Sequence, residues 1–139
     1  MDVGFIRLGL FVFAILGVLH FLYTLLDLKT PKYFAPLDRN LLDRMQQTHV
    51  ALAKNPKNFW QSYMGFNLSH SVGILVHVLT FAILSIIAPE LVFHPAMMIL
   101  LISTGFAYVI LAQKFWFSIP LIGSLIGTIF FIVGAIIHY

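Results

Sequence analysis

Four long apolar stretches dominate the sequence, at about 4–26, 66–88, 92–112 and 118–137. Each approaches the roughly 20 residues that a helix needs to cross about 30 Å of hydrocarbon. Only 9% of the 139 residues are charged, whereas a soluble domain carries about 25%. Because a helix is the open-chain structure that satisfies its own backbone groups in lipid, the sequence predicts an all-α, integral membrane four-helix bundle in a single membrane domain.

The connections between the last three stretches are short. Pro89 and Pro95 prevent one continuous helix across the second and third stretches, and QKFWFSIP joins the third to the fourth. Both connections predict tight antiparallel hairpins. The first stretch lacks the basic start and the small-residue cleavage site of a secretory signal, so we expect it to remain as a span.

The connection between the first two stretches is long and basic. It contains Lys29, Lys32, Arg39, Arg44, Lys54 and Lys57, six of the eight basic residues. Asp38 is a candidate N-cap, and apolar positions recur at helical spacing at Leu42, Met45, His49 and Leu52. This pattern predicts an interfacial amphipathic helix over about 37–55, either as a surface tether or as a segment that binds a partner or senses lipid. Trp60 and Tyr63 would mark re-entry into the membrane.

The distribution of basic residues also predicts an orientation. Lys114 lies in the third connection, and Arg7 is the only arginine or lysine on the opposite side. The positive-inside rule then places the long connection in the cytoplasm and both termini outside. We expect a multi-pass protein of the bacterial inner (cytoplasmic) membrane.

The second stretch, read with its entry as WQSYMGFNLSHSVGILVH, carries an unusual number of polar residues for a span. Asn67, His70, Ser71 and His77 fall on one helical face, and the first stretch has a polar face of its own. If the two faces meet, they form one candidate ligand-binding or interhelical polar cluster, comprising His20, Thr24, Asn67, His70, Ser71 and His77.

Three interpretations of this cluster remain open. The side chains can hydrogen-bond across helices and stabilise packing, or hold a b-type haem, or bind the polar end of a quinone or lipid. His70 and His77 rise about 10 Å apart on one helix, so a haem would need His20 with His70 or His77. We predict no cofactor and no other metal site, and the chain contains no cysteine.

The fourth stretch carries a candidate helix-association face made of Gly123, Gly127 and Gly134. Small residues allow helices to approach closely, either within the chain or between subunits. The sequence contains no carboxylate pair, phosphate loop, HExxH motif or Ser-His-Asp set, so we predict no catalytic residues. Since the basic residues cluster in one loop, we expect no nucleic-acid partner.

The spans and loop lengths resemble those of small, poorly characterised bacterial four-helix membrane proteins, including the DoxX-like group. GFNLSHS also looks like a family signature. The resemblance implies a fold and no activity. We predict a non-catalytic accessory or structural subunit of a membrane protein assembly, whose partners are lipid and other membrane subunits or a second copy. The alternative is a binder of b-type haem, quinone or lipid at the seam of spans 1 and 2.

Overall fold

The structure, a computed structural model, describes residues 2–51 and 57–139. Within these ranges the chain is all-α, as predicted. The helices are α1 (Asp2–Lys29), α2 (Arg39–Gln47), α3 (Phe59–Ile87), α4 (Pro89–Val92), α5 (Pro95–Phe115) and α6 (Ser118–His138). Four of them, α1, α3, α5 and α6, are long and apolar enough to cross a membrane. These four candidate spans pack together, and the short α2 lies between the first two.

Local capping explains where the spans begin. The Asn58 side chain accepts a 2.8 Å hydrogen bond from the Gln61 backbone N–H, so α3 starts at Phe59, ahead of the apolar stretch that begins at 66. His94 caps α5 in the same way through the Ala96 N–H, and Pro95 occupies the first helical position. The polar lead-in to the second span is therefore part of the spanning helix.

The helix α2 is shorter than the amphipathic segment predicted over about 37–55. Asp38 is its N-cap, as predicted, and accepts a 2.9 Å hydrogen bond from the Asn40 N–H. Helical geometry ends at Gln47 because Thr48 is extended and its carbonyl accepts a 2.7 Å bond from the Phe59 N–H. His49 then pairs with Asn58 in an isolated antiparallel bridge, outside the helix. Leu52 and Lys54 lie outside the described residues.

The chain divides into two compact units, Met1–Leu16 with Ile74–Tyr139, and Gly17–Gly73. The helices α1 and α3 therefore contribute to both. The first unit has an apolar core in which Ile6 and Leu101 are fully buried. In the same core the Phe13 ring stacks on Phe131, with 5.6 Å between ring centroids.

The second unit has a smaller core beneath α2. Leu42 packs with Trp60 and Met64, and all three side chains are buried. Trp60, expected at the membrane interface, is only 5% exposed. The Trp60 ring therefore holds α2 against the start of α3 through its packing with Leu42.

Candidate functional site

A hydrogen bond joins α1 and α3 at His20. Its Nε2 lies 3.1 Å from Oδ1 of Asn67, whose Nδ2 donates a 2.8 Å bond to the Tyr63 carbonyl. Because a carbonyl oxygen only accepts, the Asn67 nitrogen must face Tyr63 and its oxygen must face His20. His20 Nε2 therefore carries the proton and donates, which leaves Nδ1 as the acceptor of the neutral ring.

His70 joins this pair through its ring. The ring centroids of His20 and His70 are 5.5 Å apart in an edge-to-face arrangement. The ring centroids of His20 and Phe34 are 4.8 Å apart. Two histidines that share one haem iron approach it from opposite faces of the porphyrin. Here the rings are in direct contact and His20 Nε2 is bonded to Asn67, so a porphyrin between them requires both contacts to break.

Thr24 and Ser71 lie beside these residues and are fully buried. Each hydroxyl donates to a carbonyl one turn earlier in its own helix, Thr24 to His20 at 2.7 Å and Ser71 to Asn67 at 2.8 Å. Such bonds satisfy a hydroxyl inside a helix without a second helix. Both hydroxyls are thus satisfied within their own helices.

His77, the sixth predicted member, belongs to the other unit. Its ring lies 4.9 Å from that of Phe81, and Phe13 and Phe131 border the same small void. The Nε2 atom of His77 is buried and has no hydrogen-bond partner among residues 2–51 and 57–139. The structure therefore brings together His20, Thr24, Asn67, His70 and Ser71, and gives His77 separate, largely apolar neighbours.

One further residue, which the sequence pattern does not single out, shapes this site. Asp27 is fully buried, and its Oδ1 accepts backbone bonds from Lys32 (3.0 Å) and Tyr33 (2.9 Å). Its Oδ2 accepts a 2.7 Å bond from the Phe34 N–H. These bonds turn the chain back after α1 and hold Phe34 against His20. An acid in the last turn of a helix opposes the helix dipole, and that conflict was the available signal.

The glycines of the predicted association face pack inside the first unit. A Cβ atom at Gly127 would lie 2.7 Å from the Phe13 ring, and one at Gly134 would lie 2.7 Å from Ile6. A Cβ at Gly123 would meet Leu16 at 2.9 Å, and one at Gly9 would lie 2.8 Å from the Gly127 carbonyl oxygen. This face of α6 is therefore covered by α1 of the same chain.

The end of α3 that follows the histidines is held by an arginine. The Arg7 guanidinium donates to the Ser85 carbonyl at 2.6 Å and to the Ser85 hydroxyl at 3.2 Å. The last carbonyls of a helix lack partners within it and carry the negative end of the dipole. Arg7 therefore serves as a C-terminal cap of the second span.

Fold and site together define a multi-pass membrane protein with four candidate spans and a polar contact between the first two. Comparison of the chain with protein-family models, curated proteins and solved structures gives no match. The likeness to the DoxX-like layout consequently stays a prediction. In the described part of the chain, no group of three or more His, Cys, Asp or Glu side chains is arranged to hold a metal ion.

Proposed function

We propose that this protein is a non-catalytic accessory or structural subunit of a membrane protein assembly. The supporting observation is that polar side chains of its candidate spans form hydrogen bonds with other groups of the same chain. The Asn67 side chain accepts a hydrogen bond from His20 through its oxygen and donates one to the Tyr63 carbonyl through its nitrogen. The Thr24 hydroxyl donates to a carbonyl of its own helix. A ligand site presents a few polar groups to its ligand, whereas these groups already have hydrogen-bond partners inside the chain.

The accessory role rests on where the rest of the chain lies. In the described part of the chain, the spans are joined by the segment that carries α2, by the short α4 and by a tight link between α5 and α6. A partner must therefore be met chiefly on the faces of the spans, where Phe11, Ile99 and Ile119 are each more than 60% exposed. Large side chains on such faces contact either lipid or another subunit.

Photo-crosslinking in native membranes separates these two possibilities. A photoreactive residue is introduced singly at Phe11, Ile99 and Ile119, with the buried Phe131 position as the control. We expect one face to give a protein adduct of defined mass, and the same partner to co-purify at a fixed ratio without crosslinking. Deletion of the chain should then lower the yield of that partner's assembly. Lipid adducts alone, with a monomer in mild detergent, would overturn the proposal.

A second candidate function is binding of a quinone, a lipid or a b-type haem at the seam of spans 1 and 2. It is favoured by the incomplete burial of His20 and His70, and by the rings of Phe34 and His70 that both lie against His20. An absorption spectrum of freshly purified protein tests haem through its Soret band. Mass spectrometry of a solvent extract tests quinone, and His70→Ala should lower either content. An unchanged content in that variant would remove the site.

We also infer that the segment between α1 and α3 faces the cytoplasm of a bacterial inner membrane, with both termini outside. The inference is supported by the excess of basic residues in that segment. Because the chain has no cysteine, single replacements Lys57→Cys and Glu90→Cys can be labelled without background. In intact spheroplasts an impermeant maleimide should label only the Glu90→Cys variant. Labelling of Lys57→Cys alone would reverse the orientation.

A further inference from the structure

The connection between α1 and α3 is held at a membrane surface at both ends. It leaves one candidate span at Lys29 and enters the next at Phe59. All of its described basic side chains are exposed, namely Lys29, Lys32, Arg39, Arg44 and Lys57. Five positive charges are thus held within reach of lipid headgroups, whichever side of the membrane the segment occupies.

The acidic residues in the segment and next to it do not cancel this charge at its surface. Asp27 is fully buried and its carboxylate is surrounded by three backbone N–H donors. Asp38 is turned to the N-terminus of α2, where it accepts from the Asn40 N–H. Asp38 and Asp43 are both exposed, so the described surface of the segment carries five positive charges against two negative ones. The exposed surface is therefore predominantly positive.

Large apolar side chains are exposed beside these charges. Leu37 is fully exposed, and Tyr33 and Leu41 are each 48% exposed. The Lys32 ammonium lies 5.2 Å from the centroid of the Tyr33 ring, which stacks on Tyr23. Basic and exposed apolar residues in alternation are typical of segments that lie in the headgroup region of a bilayer.

Two described parts of the segment, residues 32–34 and α2, are also fixed in position, which a simple tether does not require. The Asp27 carboxylate orders residues 32–34, and Leu42 anchors α2 on Trp60 and Met64. We propose that residues 29–51, together with Lys57, form a binding surface for the headgroups of anionic phospholipids. This inference goes beyond the accessory role and does not depend on it.

The experiment uses the purified full chain in neutral detergent. Native mass spectrometry and the thermal unfolding midpoint are followed during titration with phosphatidylglycerol, and in parallel with phosphatidylcholine. We expect retained phosphatidylglycerol adducts and a raised midpoint, both weakened by salt because exposed charges are screened. Equal effects of the two lipids, or no salt dependence, would overturn the proposal.

Variants then locate the surface. A base within the binding surface contributes about five-fold to anionic lipid affinity, so Arg44→Gln should weaken phosphatidylglycerol binding about five-fold. The triple replacement of Lys32, Arg39 and Arg44 by Gln should weaken it on the order of 100-fold. Lys114→Gln removes one exposed base outside the segment and is the matched control. Equal losses in Arg44→Gln and Lys114→Gln would show that net charge alone is responsible.

A final arm distinguishes a lipid from a small soluble anion. Glycerol phosphate carries the charged group without acyl chains, and it should leave the unfolding midpoint unchanged. The same shift with glycerol phosphate as with phosphatidylglycerol would identify an anion site and overturn the assignment to lipid. Unfolding midpoints in lipid-free detergent confirm that each variant is folded, and the single replacement keeps the test valid if the triple variant is unstable.

Discussion

The backbone N–H of Phe34 donates a 2.7 Å hydrogen bond to Oδ2 of Asp27, a carboxylate with no exposed surface. Two further backbone donors, from Lys32 and Tyr33, reach Oδ1 of the same carboxylate. The turn that they form carries the Phe34 ring to His20. One acidic side chain thus links the end of the first span to the polar contact between the first two.

Replacement of Asp27 by Asn should destabilise the protein strongly. An amide keeps one accepting oxygen but turns an NH₂ group toward a backbone N–H, which leaves donors unpaired in a buried position. Hydrogen bonds to charged groups contribute about 1.5–3 kcal/mol each, so we expect a loss of about 2–4 kcal/mol in the free energy of unfolding in detergent. The exposed Asp43→Asn is the control. Similar unfolding curves for both variants would contradict the role of Asp27.

The His20–Asn67 bond should appear as a coupling energy in a double-mutant cycle. Interhelical hydrogen bonds in membranes average about 0.6 kcal/mol and reach about 1.7 kcal/mol. We expect His20→Ala and Asn67→Ala to couple within that range, measured by reversible unfolding in mixed micelles. Ser69 is exposed and bonds to the Phe66 carbonyl of its own helix. His20→Ala with Ser69→Ala should therefore be additive, and additivity of the His20 and Asn67 changes would refute the bond.

Much of the fold could be predicted because hydropathy and the helical spacing of apolar residues are local properties of the sequence. The four spans follow from apolar length, and the Asp38 cap follows from one residue before a helical pattern. Helical periodicity also placed Asn67 and His20 on the polar faces of their spans, but whether those faces meet was left open by the sequence. These are features that a short window of sequence contains.

The remainder depends on contacts between distant residues. The early end of α2 results from the Thr48–Phe59 backbone bond and the His49–Asn58 bridge, which no local pattern reveals. The burial of Trp60 under Leu42 is likewise tertiary. His77 shares a helical face with His70, yet the two side chains have different neighbours. Helical periodicity alone does not predict this difference.

The cap on the second span gives a third prediction. Arg7→Gln removes the charged donor at the Ser85 carbonyl and should lower the free energy of unfolding by about 1 kcal/mol. Arg44→Gln also removes one exposed arginine, but from α2, and in neutral detergent it should leave stability within about 0.5 kcal/mol of the parent. Equal stability of the two variants under these conditions would exclude a capping role for Arg7.

The close approach of α1 and α6 gives the last prediction. At Gly9 an added Cβ would lie 2.8 Å from the Gly127 carbonyl oxygen, a backbone atom that moves only if the helices separate. Overpacking of this kind costs about 1–3 kcal/mol, so Gly9→Ala should lower the unfolding midpoint in detergent. Gly73 is the matched control, because nothing lies within 4 Å of its added Cβ. Gly73→Ala should be neutral or stabilising, since alanine favours a helix over glycine by about 1 kcal/mol. If Gly9→Ala instead gains stability as Gly73→Ala does, the two helices are not in backbone contact at this level. The glycine face of α6 would then be open to another subunit.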